Sequence, residues 1–497
     1  MIKLVPKPVK AYFDPVKKLI AKKEETTQID FSLPKEGYTI NVDESGIRIT
    51  GGSEKGVFYA RETLRQISAQ SGIGLPYCSI EDCPKYEYRG YMLDCSRHFF
   101  SVAEIKRQLF LMSLLKLNVF HWHLTDDQGW RIKIDAYPDL TKKSSMRSQT
   151  KGDKTPHGGY YSKAEIKEVV EYAAALHIDV LPEIDMPGHF SAAIHAYPFL
   201  SCKGEEVDVK TEFGIHPDIA CMGKESTYKF IYEMLDEVME LFPFPYIHLG
   251  GDEAIKTHAI ECKDCIAMIK ENDLQDTEQL QAHFMARVEQ YVLSKGKKAI
   301  IWNDGAKAKN SSPTLIVQHW QPGRASEQVT LAADERGCKI ILSPFMYYYL
   351  DYPYGMTPLR KTYEYDLKLN KKEMNALWGV EAPLWTEYVA DRARLEYMTY
   401  PRLLALAETG WLGAQDKDYE DFEERAAQFC LLLDKHGVNY AKIDTVNPGF
   451  IKGKRDMLRF FANAAGGNSI KRLIQNRKNA KKINKFNKSL KRPQMEG

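Results

Sequence analysis

The segment His248-Leu-Gly-Gly-Asp-Glu-Ala254 closes a short apolar run with two glycines and two adjacent carboxylates. Neighbouring side chains on an extended segment point apart, so Asp252 and Glu253 can reach different sides of one small substrate. Gly250 and Gly251 allow a ligand or a second backbone to come close. Two carboxyls placed this way suit cleavage of a glycosidic bond: one protonates the leaving oxygen and the other answers the developing positive charge. Taken alone, the same residues describe an acidic surface turn equally well.

Other polar clusters also follow apolar runs. His121 to Arg131 reads HWHLTDDQGWR, and Pro182 to His189 reads PEIDMPGH. Each histidine alone is more often structural than catalytic, but together they can form an Asp–His network that tunes a proton donor. His121-Trp-His123 also imitates the HxH pair of a metal-dependent amidohydrolase, which is the first alternative reading. The acids that follow it favour a hydrogen-bonded network. Cys262 and Cys265 form a CxxC with no second CxxC to complete a zinc site, so no metal and no cofactor are expected.

These clusters need a scaffold. From Tyr88 onward, short apolar runs alternate with longer amphipathic ones. The strand-like runs are Tyr91–Cys95, Asn118–Leu124, Ile178–Ile184, Tyr246–Leu249, Lys298–Trp302, Leu315–Trp320, Lys339–Leu342 and Leu377–Val380. Helix-like stretches between and after them include Ala103–Leu115, Lys163–Leu176, Thr227–Leu241, Glu278–Leu293, Ser326–Arg336 and Leu395–Thr409. This rhythm predicts an α/β fold, a (β/α)8 TIM barrel, over an open doubly wound sheet, which a glycine-rich loop after the first strand would have favoured. Chemistry in such a barrel gathers at the C-terminal strand ends. Those ends carry Arg97, His123 with Asp126, Asp185 with His189, Asp252 with Glu253, Trp302, Trp320, Tyr349 with Asp351, and Trp385 with Glu387.

Before the barrel, residues 1–85 read as a small α+β domain. Tyr38 to Thr50 alternates as a hairpin with a turn at Asp43–Gly46, and a helix follows with Val57, Ala60, Leu64 and Ile67 on one face. The barrel is expected over 86–450 and a basic C-terminal extension over 451–497. From Lys471 to Arg492 the extension is dominated by Lys and Arg, and reads as a solvated helix or frayed tail.

The 497 residues exceed one ordinary domain, and a net charge of +2 gives no polyanion-binding signature, so no nucleic-acid partner is expected. No run is long enough for a membrane span. MIKLVPKPVKAYFD has no apolar signal region, and nine scattered cysteines suit a reducing compartment, so the chain is expected in the cytoplasm unless a leader has been removed. Oligomeric state is not legible.

The motifs RGYMLDCSRHF (Arg89–Phe99), HWHLTDDQGWR, PEIDMPGH, HLGGDE, IWND, QHW, YYLD and LWTE, in this order, resemble those of the glycoside hydrolase family 20 β-N-acetylhexosaminidases. The segment from Gly52, GSEKGVFYARETLRQ, is similar to that family's small N-terminal domain. The resemblance implies a retaining exo-enzyme that removes terminal β-linked N-acetylglucosamine or N-acetylgalactosamine from a glycan or glycoconjugate. In it the substrate's own acetamido oxygen attacks C1 to give an oxazolinium ion. It implies Glu253 as general acid/base, Asp252 as the group that orients the acetamide and stabilises the cation, and Tyr349 as donor to the acetamido oxygen. Trp302, Trp320 and Trp385 would form the pocket walls, Arg97, Asp351 and Glu387 would bind hydroxyls, and Asp126 and His189 would back the acid/base. A non-catalytic sugar-binding barrel is the remaining alternative.

Overall fold

The computed structural model describes residues 2–20, 23–306, 312–323, 329, 337–369, 371–414, 417–465 and 469–490. The N-terminal unit is a five-stranded sheet in the order β1 (Lys10–Leu19), β5 (Leu75–Asp82), β3 (Tyr38–Asp43), β4 (Gly46–Gly51), β2 (Glu25–Ile29). The hairpin and the helix α1 (Glu54–Ser71) stand where the sequence places them, with Val57, Ala60, Leu64 and Ile67 buried against the sheet. The strands β1, β2 and β5 had no clear alternation to announce them. β1 carries a register shift between Phe13 and Lys18 and is exposed along most of its length.

The second unit is a closed barrel of eight parallel strands: β6 (Tyr88–Asp94), β7 (Val119–His123), β8 (Asp179–Glu183), β9 (Tyr246–His248), β10 (Lys298–Trp302), β11 (Ile316–His319), β12 (Ile340–Leu342) and β13 (Leu377–Leu384). β13 pairs with β6 from Gly379↔Tyr88 to Leu384↔Leu93 and closes the ring. The (β/α)8 expectation therefore holds. Helices α2 (Val102–Leu114) and α3 (Lys163–Ala175) begin at capping boxes, Ser101 with Glu104 and Ser162 with Glu165, which satisfy the free N–H groups of the first turn.

Two helix expectations change. Leu395–Thr409 is broken into Arg392–Thr399 and Arg402–Leu412, because Pro401 lacks the N–H that a continuous helix needs. Ser326–Arg336 lies, but for Val329, outside the described residues.

Strand periodicity sets the layers inside the barrel. At its N-terminal end Tyr88, Val119, Leu181, Ile300, Ile316 and Ile341 form an apolar floor with Phe244, Tyr246 and Trp378 against it. Two residues further along the same strands the side chains turn polar and remain buried: His121, Glu183, His248 and Gln318, with Glu381 beside them. The HxH spacing thus places His121 and His123 on one inward face, one layer apart.

The units are joined by charge as well as packing. Arg89, at 0% exposed, donates to Glu36 at 2.8 Å and to the Tyr59 hydroxyl at 2.9 Å, and Trp411 Nε1 donates to Asp82 at 2.7 Å. The C-terminal part is helical, and its described side chains over 475–490 are exposed or half-buried, as in a solvated helix, with a few anchoring contacts. Phe460, in a helix over Phe450–Ala465, packs against Tyr352 and Tyr388 with ring centroids 5.5 Å apart in each case. In the following helix, Ser469–Leu490, Asn487 accepts from the Thr277 N–H at 3.1 Å while Phe486 and Leu490 rest on the core. Arg492 lies outside the described residues. Among the described residues no helix is long and apolar enough to cross a membrane.

Candidate active site

The loop after β9 is built to present two carboxylates. Gly250 has φ +66, and a Cβ there would stand 1.7 Å from Asp185 Oδ1, so only glycine fits. The Gly251 carbonyl accepts from Gln281 Nε2 at 2.7 Å. Glu253 itself takes a positive φ of 47°, rare for a non-glycine residue and held here by its surroundings. Its N–H donates to Asp304 Oδ2 at 3.1 Å, while Asp304 Oδ1 accepts from Trp320 Nε1 at 3.0 Å.

His189 is the hub between these carboxylates and the loop after β7. Its Nδ1 is 3.1 Å from Asp126 Oδ1 and 3.4 Å from Asp127 Oδ2. Its Nε2 lies 3.5 Å from Glu253 Oε2 and 3.7 Å from Asp252 Oδ2. Burial opposes charge on this ring, but Asp126, then Asp127 and Glu253, outweigh it and hold the imidazole pKa well above its ordinary value. Asp126 is in turn held well below the carboxylate range: burial works against its charge, and Arg97 and His189 prevail. Arg97 reaches Asp126 at 2.7 Å and Asp94 at 3.2 Å, and its guanidinium lies 5.0 Å from the Trp385 ring centroid.

Trp385 closes an aromatic enclosure. Its ring lies 6.0 Å from Trp302 and 6.2 Å from Tyr349, and Tyr349 stacks with Trp320 at 6.1 Å. Trp302 is only 1% exposed and donates to Glu183 Oε1 at 2.7 Å, so it forms the base of the enclosure more than a wall. Asp351 and Glu387 sit beside one another. Burial and the neighbouring Glu387 push the Asp351 carboxyl up to about 8, and Glu387 is raised by burial against the pull of Arg97. Burial likewise pushes Asp252 up to about 8, with His189 opposing and Asp304 and Glu253 adding to the rise.

The eleven residues to which the family resemblance gives roles therefore gather at the C-terminal mouth of the barrel. Buried carboxylate oxygens there stand without a protein hydrogen-bond partner: Asp252 Oδ1 and Asp351 Oδ1. Buried polar atoms are normally paired, so these are shaped for something that binds. The polar segment 141–161, which follows β7, reaches the mouth through Lys151, whose Nζ is 4.8 Å from the Tyr388 ring.

Sequence reasoning passed over the layer beneath. Glu183 accepts from His123 Nδ1 at 2.6 Å and from Trp302, and His121 Nδ1 meets Glu381 Oε1 at 3.0 Å. His123 Nε2 is also occupied, by Asp126 at 2.9 Å. Although burial opposes it, the charges of Glu381 and Glu183 raise His121 to about 9. The carboxylates that engage these two imidazoles make the kind of hydrogen-bonded network that the sequence favoured over a metal pair. The available signals were Glu183 inside PEIDMPGH and Glu381 as the one charge in the apolar run LWGVEAPL. Asp304, unassigned in IWND, proves to be the link between Glu253 and Trp320.

Fold and site together have the architecture of a carboxylate-bearing glycosidase barrel. Residues 86–414 match the family model described as glycosyl hydrolase family 20, catalytic domain, and residues 8–83 match the family's domain 2. The chain belongs to glycosyl hydrolase family 20. It is 36% identical to a beta-hexosaminidase of Porphyromonas gingivalis over 87% of this chain and 58% of that protein, so it spans little more than half of that relative's length. It superposes on the crystal structure of a beta-N-acetylhexosaminidase with a TM-score of 0.83, at 31% identity, covering 90% of this chain and 98% of that one. The exo beta-N-acetylglucosaminidase of Vibrio harveyi, solved in complex with N-acetylglucosamine, gives 0.79 at 29% identity, over 88% of this chain and 78% of that one.

Proposed function

We propose that the chain is a retaining exo-β-N-acetylhexosaminidase that hydrolyses terminal, non-reducing β-linked N-acetylglucosamine or N-acetylgalactosamine by substrate-assisted catalysis. The observation that carries this is the pairing of Asp252 and Glu253 around one imidazole, with Asp252 Oδ1 left unpartnered inside an aromatic enclosure. Glu253, the more exposed of the two at 33% of its side chain, protonates the leaving oxygen. The C1–O bond breaks as the acetamido carbonyl oxygen bonds to C1. Asp252 accepts the acetamido N–H and stabilises the oxazolinium, and Tyr349 donates to the acetamido oxygen. Glu253, now a carboxylate, takes a proton from water, whose oxygen attacks C1 and reopens the ring.

Trp320, Trp385 and the buried Trp302 pack the apolar faces of the terminal sugar and its methyl group. Arg97, Asp351 and Glu387 bind hydroxyls and end the pocket, which supports exo action. The natural partner is a glycan or glycoconjugate ending in N-acetylhexosamine. A reducing compartment such as the cytoplasm fits the nine cysteines, and intact mass of protein drawn from cells under thiol-trapping conditions tests it.

The test of activity is turnover of chromogenic β-N-acetylglucosaminide, its galacto epimer and the plain β-glucoside side by side. Both N-acetyl substrates turn over and the glucoside is very poor. A thiazoline mimic of the oxazolinium inhibits far more tightly than N-acetylglucosamine. Efficient β-glucosidase action contradicts the reading.

A further inference from the structure

Away from the catalytic carboxylates, the fold assembles four cysteines that the mechanism does not use. The CxxC of Cys262 and Cys265 has no sequence-adjacent partner pair, but Cys202 and Cys221 supply one in space. The sulfurs of Cys202 and Cys265, of Cys221 and Cys262, and of Cys221 and Cys265 are each 3.7 Å apart, and all four lie within 4.8 Å of one another. From this geometry we propose that Cys202, Cys221, Cys262 and Cys265 form a tetrathiolate site for one Zn²⁺ ion.

The spacing discriminates between the ways four cysteines can meet. A disulfide holds its sulfurs at about 2.0 Å. A tetrahedral ion with Zn–S bonds of about 2.3 Å spaces its sulfurs by about 3.8 Å along each edge. The three 3.7 Å separations match the second figure. Four sulfur ligands make a closed, structural site with no position left for water or substrate. The surroundings favour thiolates as well. Cys262 caps the N-terminus of the helix Lys263–Glu271 and Cys265 lies in its first turn, where the helix dipole stabilises negative charge. Cys221 and Cys265 are fully buried, and Cys262 is 7% exposed.

The two loops that meet here have been shaped for close approach. A Cβ on Gly223, two residues after Cys221, would fall 2.3 Å from the backbone nitrogen of Cys265. The Cys221 N–H donates to the Leu200 carbonyl at 2.7 Å and the Ala220 N–H to the Pro187 carbonyl at 2.9 Å, so the cysteine-bearing strand of this loop is tied to the segment that carries His189. Cys262 stands nine residues after Glu253 on the other loop. The ion therefore fastens the loop after β8 to the loop after β9, the two loops that carry His189 and Glu253. It acts as a staple, and takes no part in bond breaking.

The test uses the full-length protein purified without chelator or added metal. Elemental analysis gives about one zinc per chain. A mercurial that titrates thiolates releases it, as a chromogenic chelator records. Refolding with Co²⁺ in place of Zn²⁺ gives the intense d–d bands and sulfur-to-cobalt charge transfer of a tetrahedral thiolate site. Cys265→Ser lowers the zinc content and the melting temperature, whereas Cys83→Ser, at a cysteine outside the cluster, keeps the zinc. Because the serine variant can fail to fold, the wild-type measurements decide. Two disulfides among the four cysteines in the intact mass, iron in place of zinc, or metal-free protein that develops no cobalt bands would each overturn the assignment.

Discussion

The backbone N–H of Glu253 and the carboxylate of Asp304 are bonded at 3.1 Å, and the other oxygen of that carboxylate holds the indole of Trp320. One side chain thus ties the loop that carries Glu253 to the indole of Trp320, which on the proposed reading are the acid/base and a wall of the sugar pocket. Asp304→Ala releases both at once. Since misplacing a catalytic group by about 1 Å can cost ~10²-fold, we expect kcat/KM to fall ~10-fold or more, with greater losses on substrates whose leaving groups need protonation. Steady-state kinetics across a leaving-group series measures this. A uniform loss across the series assigns Asp304 to the pocket wall alone.

Glu253→Gln removes the transferable proton. Turnover of an unactivated disaccharide drops by orders of magnitude, and the loss shrinks for nitrophenyl leaving groups, which depart without a proton. An unchanged rate on the disaccharide sinks the assignment.

On the proposed mechanism Asp252 must be anionic to stabilise the oxazolinium, yet burial pushes its carboxyl up to about 8. kcat/KM therefore falls on the acid side at an apparent pKa well above that of an ordinary aspartate, and the value belongs to the coupled group that includes His189 and Glu253. Asp252→Asn loses ~10²-fold or more, as expected when a preorganised charge is deleted. The first product stays the β-anomer by NMR, because C1 is inverted twice. A covalent adduct on Asp252 after trapping with a 2-fluoro sugar that lacks the acetamide would overturn the substrate-assisted mechanism.

Asp351 trades stability for binding. Its folded-state carboxyl, at about 8, lies above the unfolded value of about 3.9, so between these limits the folded chain holds a proton that the unfolded chain releases. Its contribution to stability is complete below about pH 4 and fades as pH rises through 8. Asp351→Asn therefore raises the melting temperature at pH 8 by about a degree or more, changes it little at pH 4, and lowers kcat/KM. A melting temperature unchanged or lower at pH 8 contradicts this account.

Strand periodicity made the barrel legible, because parallel strands buried on both faces read as apolar runs and the polar residues fell at one end of each. The site was legible because Arg97, Asp126, His189, Asp252 and Glu387 belong to ordered motifs. The four-cysteine cluster was not. Cys202 and Cys221 come from a long loop whose return path depends on tertiary contacts, such as the bridge between Ser201 and Ala220, and no local pattern records these. The role of Asp304 was hidden for the same reason: its partners lie 51 and 16 residues away in the chain. The break at Pro401 was visible in the sequence, since proline marks a helix boundary, but the apolar stripe on both sides of it masks the stop.

The seam of the barrel links function to the order of assembly. Tyr88 in the first strand donates to Glu381 in the last, 293 positions on, and Arg97 and Glu387 attract one another from the two sides of that seam. No fragment that lacks the eighth strand can contain a complete site, so a chain leaving the ribosome is inert until most of its length has emerged. Contacts so distant in sequence form late and slowly. On refolding, helical signal should return first and glycosidase activity should follow, which makes activity a clock for the closing of the ring.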